Sequence, residues 1–135
     1  MTTLEQSLSE IPAFSIIHEH LFSSAQPSIE QLKFIKEYGC STVVNLALSN
    51  SPDSIKNEDQ VCLEYGLNYI HIPIDWETPS SDQCLLVLDL IDHLVQNEIV
   101  WIHCAKNKRV SCLMYVYRQF YMNMDMPTCQ DLLHE

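Results

Sequence analysis

The fold of this chain is decided by the stretch Val100-Trp101-Ile102-His103-Cys104-Ala105-Lys106-Asn107-Lys108-Arg109-Val110-Ser111. It begins with an apolar run that does not alternate, which is typical of a strand buried on both faces of a sheet. The run ends in His103 and Cys104, and a short polar loop leads to Ser111, where we expect an amphipathic helix to begin. A thiol between a strand and a helix N-terminus lies beside unpaired backbone N–H groups and the positive end of the helix dipole. This position favours a thiolate nucleophile that handles a small anion.

Much of the positive charge of the chain lies in the same loop. Lys106, Lys108 and Arg109 are three of only seven basic residues, and the formal net charge is −11. Nucleic acid and anionic membrane surfaces require a broad basic face, so neither is expected as a partner. An anion that this protein binds must be small enough for a single positive loop to hold it.

Length and composition predict one domain over residues 1–135. The chain is 47% hydrophobic, which is enough for a substantial core, and its longest apolar runs are too short to span a bilayer. Neither a secretory signal pattern nor a Cys-X-X-Cys pair accompanies the cysteines, so we expect free thiols in a reducing cytoplasm. The six cysteines are Cys40, Cys62, Cys84, Cys104, Cys112 and Cys129.

Helical and strand patterns alternate along the chain. Ser28 and Gln31 form a capping-box pattern, and Gly39 is a typical helix end. Hydrophobic periodicity predicts helices over residues 28–38, 57–65, 80–94 and 111–121, and strands over residues 41–46, 68–73 and 99–103. Strands separated by helices predict an α/β fold with a mainly parallel sheet flanked by helices. Ligands of such sheets bind beyond the carboxyl ends of the strands, where both Cys104 and Asp75 are expected.

Cysteine-based hydrolysis of a phosphate ester needs four groups, and this chain offers a candidate for each. Cys104 is the candidate nucleophile, and His103 behind it holds the loop by hydrogen bonding. Backbone amides from Ala105 through Lys106, Asn107, Lys108, Arg109 and Val110 form the candidate cradle for the phosphoryl oxygens.

The other two groups that the reaction needs are an arginine for the phosphoryl oxygens and a general acid for the leaving group. Arg109 is the candidate guanidinium that grips two phosphoryl oxygens, and Ser111 is a candidate donor to the thiolate. Asp75 is the candidate general acid for the leaving oxygen, with Glu77 and Asp82 as alternates. Asp82 is better explained as a first-turn charge that the helix dipole favours.

These residues resemble a known family. His103 and Cys104, with Ser111 seven residues after the cysteine, resemble the phosphate-binding loop of cysteine-dependent protein tyrosine and dual-specificity phosphatases. The segments Ser24-Ala-Gln-Pro-Ser28, Thr42-Val-Val-Asn-Leu46 and Ile72-Pro-Ile-Asp-Trp76 are similar to a bacterial branch of small phosphatase-like proteins. The resemblance implies a four- or five-stranded, mainly parallel sheet between helices. It also implies hydrolysis of phosphotyrosine or another phosphate monoester through phosphocysteine, with no metal or other cofactor and a phosphate-bearing small molecule or phosphoprotein as partner.

The loop departs from the family pattern at two positions. Counting from Cys104, Asn107 stands where the family has glycine and Val110 stands where it has arginine, while Ser111 stays in register. Arg109 is therefore one place early, and one residue at the start of a helix turns a side chain by about a quarter turn or more. Asn107 tolerates left-handed backbone angles but carries a Cβ into the cradle. These departures predict anion binding more firmly than rapid turnover.

Three other interpretations stay open. The protein is a pseudophosphatase if the displaced arginine allows binding of phosphorylated or anionic partners without turnover. It is a rhodanese-like sulfurtransferase if Cys104 carries a persulfide, although the segment around Asp75 disfavours this. Cys104 is alternatively a buried structural thiol. His18-Glu19-His20 lacks a convincing third ligand, so no metal site is expected.

Overall fold

The computed structural model describes residues 3–75, 77–106 and 108–122, and within them the side chains of residues 3–5, 108 and 109 are left aside. Its centre is a five-stranded sheet in the order β1-β2-β5-β3-β4. The strands are β1 (Ser15–His18), β2 (Leu21–Ser24), β3 (Thr42–Asn45), β4 (Asn68–His71) and β5 (Val100–His103). β1 pairs antiparallel with β2, and the other three pairings are parallel. The predicted α/β fold with a mainly parallel sheet is confirmed.

Helices connect the parallel strands and cover both faces of the sheet. The helices are α1 (Thr3–Ser9), α2 (Ile29–Tyr38), α3 (Glu58–Glu64), α4 (Ser81–Leu94) and α5 (Lys108–Phe120). The predicted ends of α2 are confirmed, because Ser28 and Gln31 form a reciprocal capping box and Gly39 adopts a left-handed φ of 118°. None of the helices in the described ranges is both long and apolar enough to cross a membrane.

The central strand β5 contributes to the cores on both faces. Its Trp101 packs with apolar residues of α1, α2 and α3, while Val100 and Ile102 pack with residues of α4 and α5. All four residues of β5 are buried, as the absence of alternation predicts. The indole Nε1 of Trp101 donates to Ser24 Oγ at 2.8 Å, so its one polar group is satisfied inside the core. The end of β5 is therefore held by packing on both sides.

The structure corrects the predicted start of the last helix. α5 begins at Lys108, three residues before the expected start at Ser111. Basic residues oppose the helix dipole at an N-terminus, so the sequence pattern favoured a later start at a residue that caps helices well. The polar loop between β5 and α5 is consequently shorter than expected, and Ser111 lies within the helix.

His18 makes the stability of this fold depend on pH. Its Nδ1 accepts from the backbone N–H of His20 at 3.1 Å, and its Nε2 lies 3.0 Å from the hydroxyl of Tyr117. Burial lowers the pKa of His18, His20 lowers it further, and Glu19 partly opposes the shift. Protonation therefore favours the unfolded chain, whose His18 binds a proton at higher pH than the folded one.

We expect the free energy of unfolding to fall as the pH falls below about 6.5, the ordinary pKa of histidine. His18→Gln should flatten this dependence between about pH 6.5 and 5, since glutamine does not titrate there. Urea unfolding at several pH values measures the slope. His93→Gln, at an exposed position near the end of α4, is the matched control and should keep the wild-type slope. Equal slopes in both variants would contradict the role of His18.

Candidate active site

Cys104 lies immediately beyond the carboxyl end of the central strand. It is completely buried, and the backbone on each side of it is held by neighbouring loops. The carbonyl of His103 accepts from the N–H of Leu46 at 2.8 Å, and the carbonyl of Ala105 accepts from the N–H of Gln26 at 3.2 Å. The thiol is therefore fixed between β5 and α5, as the predicted strand, loop and helix require.

The arginine position of the loop is occupied by an apolar side chain in the core. Val110 is fully buried and packs in the same cluster as Cys104, Leu113 and Met114. Asn107 and the side chains of Lys108 and Arg109 lie outside the described residues. Lys106 is exposed at the start of the loop, and Ser111 is half-buried in the first turns of α5. A Val110 that packs inward leaves Arg109 as the guanidinium that the loop has available.

A buried hydrogen-bond network lies beside Cys104. His103 is completely buried, and its Nε2 lies 2.7 Å from Oε2 of Glu58, the first residue of α3. The other oxygen of Glu58 accepts from Nε2 of Gln26 at 2.9 Å. The sequence predicted that His103 holds the loop by hydrogen bonding, but it did not reveal Glu58 as the partner of His103. An acidic residue in the first turn of a helix is ordinarily explained by the helix dipole, so no signal marked Glu58.

Asp75 lies on the loop that follows β4, at the same edge of the sheet as Cys104. The N–H of Ile74 donates to the carbonyl of Leu46, whose own N–H donates to His103, so short bonds connect the two loops. The Asp75 side chain is exposed and accepts from the N–H of Glu77 at 3.0 Å and from Thr78 Oγ1 at 3.2 Å. Trp76 lies outside the described residues. Of the two alternates, Glu77 is exposed on this loop and Asp82 lies in the first turn of α4.

Several cysteines of the described ranges lie in environments that oppose ionisation. Burial raises the pKa of Cys40 and of Cys62 to about 12, and Glu58 and Asp59 add to the effect at Cys62. Burial also raises the pKa of Cys112, followed by the influence of Cys104 and Cys84. The five cysteines of the described ranges are free thiols. Cys129 lies outside them.

A cavity of about 630 Å³ adjoins the loop. Ala105 and Lys106 line one side of it, and the residues that follow β2 line another. Its remaining walls come from the segment after α1 and from the connection between β3 and α3, where the carboxylates of Glu10 and Asp53 are exposed. The space beside the loop is large enough for an organic group attached to a phosphate. Within the described part of the chain, no group of three or more metal-binding side chains is found.

Comparison with known proteins finds a phosphatase family that includes this chain. Residues 19–113 match the model of the family described as "Polymorphic toxin system, DSP-PTPase phosphatase". The chain belongs to this phosphatase family. The matched range includes β2, the whole loop and the start of α5. Among proteins of curated function, none matches the chain.

Solved structures with the same fold include proteins described as phosphatases. A DUF442 protein from Shewanella putrefaciens, proposed to be a phosphatase, is 27% identical with a TM-score of 0.82, covering 96% of this chain and 93% of its own. A variant of P. aeruginosa TpbA in complex with phosphotyrosine is 15% identical with a TM-score of 0.76, covering 90% and 72%. The core catalytic domain of the S. cerevisiae PP-IP phosphatase SIW14, in complex with citrate, is 19% identical with a TM-score of 0.75, covering 91% and 75%. The last two similarities establish the fold alone.

Proposed function

We propose that this protein is a cysteine-dependent phosphatase that hydrolyses phosphotyrosine or another phosphate monoester through a phosphocysteine intermediate. The observation that carries the proposal is the position of Cys104, between the central strand and the N-terminus of α5, in a chain of a phosphatase family. The positive end of α5 and the loop amides favour both a thiolate and a bound phosphate at this place. The basic residues of the loop add to that preference.

The proposed reaction has two steps. Sulfur of Cys104 attacks phosphorus, the bond between phosphorus and the ester oxygen breaks, and Asp75 gives that oxygen a proton. Water then attacks the phosphocysteine, Asp75 accepts a proton from it, and inorganic phosphate leaves while the thiolate is restored. The hydroxyl of Ser111 donates to the departing sulfur. Arg109 and the amides of residues 105–110 stabilise the negative oxygens in both steps.

Hydrolysis of p-nitrophenyl phosphate tests the proposed reaction. We expect measurable release of nitrophenol, competitive inhibition by inorganic phosphate and vanadate, and no loss of activity with a chelator. A slow turnover is expected, because the arginine is displaced from the position that the family pattern gives it. The absence of turnover in a folded sample would overturn the proposal.

A pseudophosphatase is the second candidate, and the burial of Val110 at the arginine position favours it. This candidate binds phosphorylated partners through the loop amides but does not turn them over. Calorimetric binding of phosphate by a protein that shows no hydrolysis would support it. Thiosulfate:cyanide sulfur transfer by the same sample would instead support the sulfurtransferase.

The cavity beside the loop gives the proposed enzyme a basis for choosing substrates. Glu10 and Asp53 contribute carboxylates to its wall, whereas Lys106 is its one basic lining residue among the described side chains. A polyanionic ester is repelled by these carboxylates, and a phosphopeptide with arginine beside the phosphotyrosine is attracted. We therefore propose that the enzyme prefers compact esters with a positively charged neighbour.

We expect kcat/KM to be about 10-fold higher for a phosphotyrosyl peptide flanked by arginine than for one flanked by glutamate, a ratio that salt should reduce. The double variant Glu10→Gln with Asp53→Asn should reduce this ratio toward one. Glu37→Gln with Glu64→Gln removes two exposed carboxylates from outside the cavity and is the matched control. Equal ratios in the two double variants would contradict the assignment.

A further inference from the structure

We propose that Glu58 is a positioning residue that holds the phosphate loop in its anion-binding shape. It acts through His103 on one side of the loop and through Gln26 on the other. The inference rests on the proposed function, since the loop matters only if it binds a phosphoryl group. No part of the family pattern quoted above includes Glu58.

The burial of this carboxylate requires an explanation. Glu58 is 4% exposed, while its neighbour Asp59, also in the first turn of α3, is exposed. A helix dipole favours both residues equally and does not require burial of either. Removing a carboxylate from water is costly unless its oxygens receive hydrogen bonds, and each oxygen of Glu58 receives one. The hydrogen bonds from His103 and Gln26 therefore compensate for the burial of Glu58.

The contacts of Glu58 determine the arrangement of both of its partners. Carboxylate oxygens are hydrogen-bond acceptors, so the 2.7 Å contact favours the tautomer of His103 that carries a proton on Nε2. The same rule directs the amide nitrogen of Gln26 toward Glu58, and that nitrogen also donates to the carbonyl of Pro27 at 3.0 Å. Glu58 therefore fixes the ring of His103 and the side chain of Gln26 at the same time.

Both partners reach the backbone of the loop. His103 directly precedes Cys104, and its Nδ1 lies 3.4 Å from the carbonyl oxygen of Cys104. The backbone N–H of Gln26 donates to the carbonyl of Ala105. The carbonyl of Ala105, which this N–H holds, cannot turn toward a bound phosphate, where its negative end would repel the anion. The network thereby favours the loop conformation in which amides, and not carbonyls, face the anion.

Glu58→Gln tests this role in the full chain. An amide offers one acceptor to two donors, so we expect hydrogen exchange of a peptide covering residues 104–111 to accelerate about 10-fold, equivalent to one buried hydrogen bond. Exchange in β3 should stay at its wild-type rate. The KM for p-nitrophenyl phosphate and the inhibition constant of phosphate should rise by a similar factor, with a smaller change in kcat. Glu58→Leu should have larger effects, so that glutamine rescues part of the function.

Asp59→Asn is the matched control, because it removes the same charge from the same turn of α3 and should leave loop exchange unchanged. If Glu58→Gln does not fold, Gln26→Leu removes one arm of the network from a half-buried position and should loosen the same peptide. Wild-type exchange and wild-type phosphate inhibition in a folded variant would overturn the positioning role. If the wild-type protein neither hydrolyses esters nor is protected by phosphate, the proposed function fails, while exchange without phosphate still tests Glu58.

Discussion

Replacing Cys104 with serine is expected to lower kcat for phosphate ester hydrolysis by at least about 10³-fold. A serine hydroxyl is a much weaker nucleophile toward phosphorus than a cysteine sulfur, so the variant lacks the proposed nucleophile. Cys104 and serine differ little in size, and the position is fully buried at the end of β5, so the fold should survive. Steady-state hydrolysis of p-nitrophenyl phosphate measures the effect, and urea unfolding checks that the variant is folded.

The other thiol at this end of α5 provides the control for that experiment. Cys112 is exposed as a residue, but partial burial of its thiol raises its pKa, and the nearby Cys104 and Cys84 raise it further. It is therefore not expected to act as a nucleophile. Cys112→Ser should therefore change kcat by less than about 3-fold, as is usual for surface substitutions away from a site. Turnover that survives in Cys104→Ser would contradict the covalent mechanism. Binding of phosphate by both variants would show that the loop holds its anion without the thiolate.

Much of the fold was predictable because its signals are local. The capping box of Ser28 and Gln31 and the left-handed Gly39 mark both ends of α2, and both were predicted from residue types alone. The buried strand β5 was predicted from its uninterrupted apolar run. Parallel order then followed from the alternation of strands and helices. Where short-range chemistry decides the structure, the sequence was sufficient.

The sequence patterns did not predict α1, β1 or β2. The two strands were missed because their stability comes from long-range contacts. β1 and β2 have four residues each, and Glu19 and His20 join them without a glycine or proline turn signal. β2 is stabilised by long-range pairing with β5, where Ser24 lies opposite His103. A strand whose stability comes from such pairing leaves little trace in its own sequence.

The candidate site divides in the same way. Cys104, His103 and the loop after them were predicted from their order along the chain, and the structure places Cys104 and His103 at the end of β5. Glu58 and Gln26 were not predicted as site residues, because their proposed roles come from contacts between residues far apart in the sequence. Glu58, for example, contacts His103, which is 45 positions away. The roles of Cys104, Asp75, Arg109 and Ser111 in catalysis stay predictions.

Moving the arginine from position 109 to position 110 should have opposite effects on activity and stability. In Arg109→Gly with Val110→Arg, the guanidinium stands at the position that the family pattern gives it, and we expect kcat/KM to rise about 10-fold or more. Val110 is fully buried beside Cys104, so a charged side chain there should lower the free energy of unfolding by roughly 3–5 kcal/mol when no anion is bound. Phosphate should restore part of this loss, because it binds only the folded protein.

The single variants separate the two effects of that change. Arg109→Gly alone removes the available guanidinium and should lower kcat/KM by about 10²-fold or more without the loss of stability. Val110→Leu keeps the position apolar and, as the control for packing, should cost less than about 1.5 kcal/mol. The measurements are urea unfolding with and without phosphate and hydrolysis of p-nitrophenyl phosphate. A folded double variant that is less active than the wild type would mean that Arg109 contacts the phosphoryl oxygens better from position 109 than an arginine at position 110 does. The loop would then bind phosphate with a geometry that differs from the family pattern.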